Sequence, residues 1–468
     1  MMESRIKTIH HDLTSGKRTC LELVQEKLSL LGANTYHTAN LLLEESALLQ
    51  AKKVDEKIQS GVPTGLLEGV PFGIKDVILL QNTISTGSSA FLKNYHAPCT
   101  ATAIQKLMDA GAIPVVKENC DSFGHGNTGE NTIFGPVKNA HDERCVAGGS
   151  SGGSAVNVAK GYTAFSIGTD SGGGIRQPAG YNKIYGMKPT YGRVSRYGMM
   201  ANMSSTDCIG PLTSSLEDIR ILLNAMSGKD PSDPTTCTSS MIPENVFDTG
   251  YLQKEIVIGY FKNFIENDCL HNAVKNDFQK MLNVLSAKGI KIIPLDFIDI
   301  RLSVSVYYVL AMAETASNLA RLDGCLYGER AKSSSRDGYM QTRAENLSKE
   351  TISRIVGGNL ALSRGNYEDI YLKAKRLRHM MVNRFNAGFK EVDIILSPVA
   401  CSSPPAAGSS TDNPLAMYLS DAFTAGFSLG GLPTLTVPFF TPTGIQITSN
   451  KNQEDRILNF AHALKEIQ

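Results

Sequence analysis

The stretch from Val146 to Pro178, VAGGSSGGSAVNVAKGYTAFSIGTDSGGGIRQP, decides how the chain is read. It carries two glycine-rich turns, Gly148 to Ser154 and Gly168 to Gly174, separated by an apolar segment that reads as a helix followed by a strand. Glycine at this density is costly in chain entropy, so it marks backbone that bends sharply or that something must approach closely. Runs of unpaired N–H groups in such turns can hold a developing oxyanion. A single turn of this kind reads as well as a flexible loop. Two of them flanking one βα unit point to a binding or catalytic loop. Neither turn fits G-x-x-x-x-G-K-[ST] or G-x-G-x-x-G, so nucleotide binding is not supported.

Working outward, helical and strand patterns alternate. Thr19 to Glu22 has capping-box spacing and opens a helix to about Leu31. Further helices are expected over 43–59, 100–110, 216–226, 272–287, 306–322, 367–385 and 454–465. Strands are expected at 69–77, 112–116, 255–260, 290–294, 392–396 and 435–437, with 117–144 as loop. This order argues for an α/β/α sandwich over a large mixed, mostly parallel central sheet. We read residues 1–468 as a single domain with a βαβ-containing segment at about 250–300.

The 468 residues are 42% apolar and only 19% charged, enough to bury a sizeable core. Lys+Arg number 46 against 45 Asp+Glu, so no net field steers a polyanion, and a nucleic-acid role would need a partner's surface. Nine scattered cysteines without a C-x-x-C argue against a disulfide framework or a zinc site and suggest a reducing, cytoplasmic setting. No apolar run approaches the ~18 residues of a membrane helix. His10-His11 reads as a solvated helix end, and Lys373, Lys375, Arg376 and Arg378 as one wet helix face.

Lys75 stands inside the apolar run GVPFGIKDV, and lysine is rarely buried without a reason. A desolvated, neutral lysine can activate a serine hydroxyl, and Ser-Lys variants of the catalytic triad exist on several folds. Lys75 with Ser150 or Ser151 and the second glycine turn would suit acyl transfer; a structural ion pair is the alternative for the lysine.

At these residues the sequence resembles the amidase signature family, through GVPFGIKD at 69–76, GGSSGGS at 148–154 and GTDSGGGIRQPA at 168–179. The resemblance implies a Ser–cis-Ser–Lys triad that cleaves carboxamides. It assigns Lys75 as the basic lysine and Ser150 as the bridging serine, following a cis peptide bond between Gly149 and Ser150. It places the attacking serine at position 174, where this chain has Gly174. The oxyanion donors it implies are the amides of Ser171, Gly172, Gly173 and Gly174, and the Ser171 hydroxyl is a weak substitute for the missing one. A chain of this kind should bind substrate and hardly turn it over, because loss of the attacking serine in a hydrolytic triad costs about 10⁶-fold.

Within the family, the stretches at 128–139, 188–198, 314–324 and 420–433 look like the A subunit of the glutamyl-tRNA(Gln)/aspartyl-tRNA(Asn) amidotransferases. That resemblance implies a glutaminase that passes ammonia to the B subunit, where ATP and Mg serve amidation of tRNA-bound Glu or Asp. A small C subunit would complete a heterotrimer, with tRNA contacted mainly through the B subunit, and no cofactor or metal is implied in this chain. For substrate contacts the resemblance suggests Arg354 for the α-carboxylate of glutamine, Asp421 for the α-ammonium and Tyr307 as a hydrogen-bonding partner. The plainer readings are a helix-surface charge for Arg354 and an N-cap for Asp421. Ser353, where a second arginine is expected, and Asn202-Met203 depart from the pattern. A stand-alone amidase and a non-catalytic scaffold remain the alternatives.

Overall fold

The structure is a computed structural model, and it describes residues 3–248, 250–332, 337–409, 414–438, 440, 443–465 and 467, without the side chains of 414–416. Eleven strands are described: β1 Ala39–Leu42, β2 Pro71–Lys75, β3 Ile113–Glu118, β4 Phe165–Asp170, β5 Tyr185–Lys188, β6 Cys208–Thr213, β7 Val257–Phe261, β8 Lys291–Leu295, β9 Ile394–Pro398, β10 Thr434–Val437 and β11 Ile445–Thr448. They form one mixed sheet in the order β1-β3-β2-β4-β6-β5-β10-β11-β9-β7-β8. The parallel pairing expected of the sheet resides in two runs, β3-β2-β4 and β9-β7-β8, and the strands between them pair antiparallel.

Local signals hold where they are strong. The capping box closes in both directions, with Glu22 N–H on Thr19 Oγ1 at 3.1 Å and Thr19 N–H on Glu22 Oε2 at 2.9 Å. Helices Leu216–Met226, Asn272–Ala287 and Glu454–Lys465 stand at the expected positions. The helix expected over 306–322 begins earlier, at Ile300, and ends at Asn318 before a short 3-10 turn. The one expected over 367–385 opens as a π-helical turn, Tyr367–Leu372, and continues as Lys373–Gly388. Lys373, Lys375 and Arg376 of that helix are exposed as expected, whereas Arg378 turns inward onto Leu429 O, Ser205 O and Ser205 Oγ.

Strands β1, β5, β6 and β11 and the Lys349–Leu362 helix are not expected from the sequence. β6 reads CIGPLT, and a proline argues against a central strand because it cannot donate to the ladder. Yet Pro211 lies opposite Ile167, inside the sheet between β4 and β5.

Phe72 of β2 and Phe165 of β4 are registered partners, and their rings stack at 5.0 Å. Ile74 next to them pairs with Ile167. Lys75 and the turn after Asp170 therefore emerge at the same edge, beyond the carboxyl ends of two parallel strands. In α/β sheets this is where ligand crevices form.

Candidate active site

Lys75 ends β2 with no exposed surface. Its Nζ lies 2.6 Å from Ser150 Oγ and 2.8 Å from Thr169 Oγ1. Burial away from water lowers its pKa from the ordinary value, against the opposing pull of Cys120, Asp121, Asp170 and Asp207. A neutral amine in contact with a hydroxyl is an arrangement able to take that hydroxyl's proton.

Ser150 belongs to the first glycine turn, where the bond between Gly149 and Ser150 is cis. The turn is fixed on both sides. Gly149 N–H donates to Gln177 Oε1 at 3.1 Å, and Asp121 N–H donates to Ser150 O at 3.2 Å. Glycine is required at 149, since a Cβ there would stand 1.9 Å from Asp121 Oδ2. Asp121 also accepts the amides of Gly129 and Asn131, and burial raises its pKa to about 7. The Gly152–Lys160 helix starts immediately after Ser151, which sets Ser150 at the positive end of a helix.

The second turn is held by Asp170. Its carboxylate accepts the amides of Gly173 (2.9 Å), Ile175 (3.2 Å) and Arg176 (3.3 Å) and pairs with the guanidinium of Arg176 through two 3.0 Å contacts. Arg176 is itself fully buried and also reaches Ser428 Oγ, Thr424 O and Gln446 Oε1. One expected oxyanion donor is thereby corrected, because the Gly173 amide is turned to Asp170 and is not free. The amides of Ser171, Gly172 and Gly174 make no hydrogen bond among the described residues. The Ser171 hydroxyl donates to Asp207 Oδ1 and makes no hydrogen bond with Lys75. Gly174 brings no hydroxyl, and a Cβ built on it would lie 2.6 Å from Thr169 O and 2.9 Å from Ser150 Oγ.

Tyr307, Arg354 and Asp421 converge on the same cleft, together with Ser150, Ser171, Gly172, Gly173 and Gly174. Tyr307 lies over Gly172, where a Cβ would meet its ring at 2.4 Å. Arg354 is 3% exposed on the Lys349–Leu362 helix, so it is no surface charge. Its Nε donates to Glu350 Oε1 at 2.7 Å, and its guanidinium lies 5.2 Å from the Tyr308 ring centre. Its two terminal nitrogens have no hydrogen bond among the described residues, which leaves the fork open for a planar anion. Asp421 precedes the Ala422–Gly430 helix without capping it by its side chain. It accepts instead from Tyr308 Oη at 2.6 Å and Asn127 Nδ2 at 3.0 Å, and burial raises its pKa to about 6.

The cleft holds about 20 Å³, room for about one water. A larger cavity of about 270 Å³, with Gln177, His271, Cys401 and Ser420 among its lining residues, shares Asn127 with it. Ser353 points to solvent and takes no part. Asn202 lines the cleft and receives Thr315 Oγ1 at 3.3 Å, while Met203 is buried in the core.

Sequence reasoning missed Thr169, Asn127, Tyr308, Asp207 and His125. The last bridges two helices, with Nδ1 3.0 Å from Thr351 Oγ1 and Nε2 3.5 Å from Thr315 Oγ1. Burial and the nearby Arg354 hold His125 neutral, well below its ordinary pKa. The D-S-G-G-G-I-R spacing of Asp170 and Arg176 was a readable signal for a carboxylate clasping its own turn.

A family model described as Amidase matches residues 22–458. The chain is 37% identical over 450 residues to the A subunit of glutamyl-tRNA(Gln) amidotransferase from Ruthia magnifica subsp. Calyptogena magnifica, covering 95% of this chain and 93% of that one. It is 39% identical over 467 residues to the protein of the same name from Prochlorococcus marinus (strain AS9601), covering 97% and 96%. The crystal structure of the A subunit of glutamyl-tRNA(Gln) amidotransferase from Thermotoga maritima superposes with a TM-score of 0.77 at 30% identity, covering 100% of this chain and 96% of that one.

Proposed function

The chain belongs to the amidase signature family, and on that premise we propose that it serves as the A subunit of a tRNA-dependent amidotransferase. The observation that carries the reading is similarity to relatives of that name along nearly the whole length of both chains. On this reading the cleft takes glutamine, and it must widen from its one-water volume to do so. The open fork of Arg354 receives the α-carboxylate, Asp421 the α-ammonium and Tyr307 a further hydrogen bond, while the amides of Ser171, Gly172 and Gly174 hold the carboxamide oxygen. Ammonia would serve a B subunit that carries ATP and Mg and contacts the tRNA, with a C subunit to complete the heterotrimer in the cytoplasm. Both Glu-tRNA(Gln) and Asp-tRNA(Asn) fit the proposal.

Gly174 removes the hydroxyl that the family places there, so the family's route through a serine at 174 is closed in this chain. The test is ammonia release from glutamine, with the B and C subunits supplied, for this chain beside Gly174→Ser. A rise of several orders of magnitude in the serine form supports the reading. No release by either form, with tight assembly on those two partners, favours a non-catalytic scaffold, a reading supported by the small volume of the cleft. Release from other carboxamides without the partners favours a stand-alone amidase.

A further inference from the structure

We infer that Ser150 is the nucleophile of this chain, with Lys75 as its general base, in a two-residue Ser–Lys site that works without a side chain at position 174. The inference rests on the amide-cleaving reading above but not on glutamine as the substrate. Ser150 Oγ is in direct contact with Lys75 Nζ at 2.6 Å, so no relay group stands between base and hydroxyl. It also holds the ground that a side chain at 174 would need, since a Cβ there would come within 2.9 Å of it.

The rival hydroxyls are engaged elsewhere or lie off the cleft. Ser151 Oγ donates to Thr169 O at 3.3 Å and does not line the cleft. Ser171 is committed to Asp207. Thr169 touches Lys75 at 2.8 Å, but it does not line the cleft, whereas Ser150 does. Two further features favour an alkoxide at Ser150. It sits at the N-terminus of the Gly152–Lys160 helix, whose dipole stabilises negative charge. Ser171, Gly172 and Gly174 line the same cleft, and their amides, unpaired among the described residues, are available to hold the oxygen of a tetrahedral intermediate. Burial lowers the pKa of Lys75, the direction that favours the neutral amine.

The chemistry balances within these groups. Ser150 Oγ forms a bond to the carboxamide carbon while its proton passes to Lys75 Nζ. Collapse of the intermediate breaks the C–N bond, and the Lys75 ammonium returns the proton to the leaving group, which departs as ammonia. Water then attacks the Ser150 ester with Lys75 again accepting the proton, and release of the acid restores both side chains. One amide and one water give one carboxylic acid and one ammonia.

The test uses an alkyl fluorophosphonate on the full chain, because phosphonylation needs an activated hydroxyl and no particular amide. Trypsin separates the rivals, since Ser150 falls in the fragment Cys145–Lys160, and Thr169 and Ser171 fall in Gly161–Arg176. Expected is one adduct per chain, localised to Ser150 by fragmentation, with labelling at least about 100-fold slower in Lys75→Met. Ser150→Ala should carry none. If that variant does not fold, the adduct map of the unaltered chain decides alone. An adduct on Gly161–Arg176, or no adduct under conditions that label a serine hydrolase, overturns the inference. Labelling at Ser150 without ammonia release from glutamine would instead fault the substrate assignment and leave the nucleophile standing.

Discussion

Lys75 Nζ lies 2.6 Å from Ser150 Oγ, and among the described residues the lysine touches hydroxyls and no carboxylate. A buried ammonium normally requires a paired anion, because uncompensated charge in the interior is costly. The arrangement therefore favours the neutral amine, the form a general base needs. Asp121, Asp170 and Asp207 lie near enough to oppose this, but each is committed to backbone amides or to its own partner.

The first prediction concerns stability. The folded-state pKa of Lys75 is lowered, so the unfolded chain binds the proton more tightly. Between the lowered value and about 10.4, unfolding takes up a proton, and stability rises with pH. Lys117 and Lys188 act in the same direction through burial. Urea unfolding at a series of pH values should show Lys75→Met gaining stability relative to the unaltered chain at low pH. That advantage should shrink as pH climbs toward about 10. A constant difference between the two chains would show that Lys75 keeps its proton in the fold.

Position 174 gives the second prediction. A Cβ there would sit 2.6 Å from Thr169 O, a backbone atom that cannot swing aside. Gly174→Ser and Gly174→Ala should both lower stability by about 1–3 kcal/mol, the usual range for overpacking. Only the serine form adds a hydroxyl, so any gain in ammonia release should be confined to it. Equal melting temperatures for all three chains would mean that the turn relaxes freely. A gain by the alanine form would exclude the added hydroxyl as its cause.

Much of this geometry was legible in the sequence, and what was not has physical reasons. Lys75 announced itself as a charge within an apolar run, and Ser150 as a hydroxyl in a glycine turn, so their contact could be anticipated. The three unpaired amides could be anticipated only as a set. Which one is lost, Gly173, depends on the side chain of Asp170 folding back on its own turn. Arg354 could be named but not buried, because its environment is made by Tyr308, Glu350 and Tyr418, which meet only in three dimensions. β6 was hidden by Gly210 and Pro211, residues that punctuate most strands, yet its pairing with β4 and β5 supplies their ladder.

The third prediction tests the clasp on the second turn. Asp170 and Arg176 are both fully buried, and removing one partner of such a pair costs about 3–5 kcal/mol. Arg176→Met should therefore lower stability by that amount. Arg176→Lys should fall between, since an ammonium cannot reproduce the two parallel contacts of the guanidinium. Denaturant unfolding reads both. A lysine form as stable as the arginine form would mean that charge alone, and not the fork, holds the turn.

Asp421 gives the last prediction, and its sign runs opposite to that of Lys75. Burial raises its pKa to about 6, so the folded chain holds the proton more tightly than the unfolded one. Its contribution to stability is present below about pH 4 and declines as pH rises through 6. Binding of a glutamine ammonium needs the carboxylate, so affinity should move the other way. Calorimetric titration with glutamine should show Kd falling as pH rises from 5 to 7, by up to tenfold per unit below about 6. Asp121 and Glu118, both raised to about 7 by burial, titrate nearby, so the comparison must be with Asp421→Asn. In that variant the affinity should be weak and nearly flat across the same range, while Tyr308 and Asn127 keep a hydrogen-bonding neighbour. A pH dependence that survives the substitution unchanged would remove Asp421 from the ammonium site and pass the role to another carboxylate.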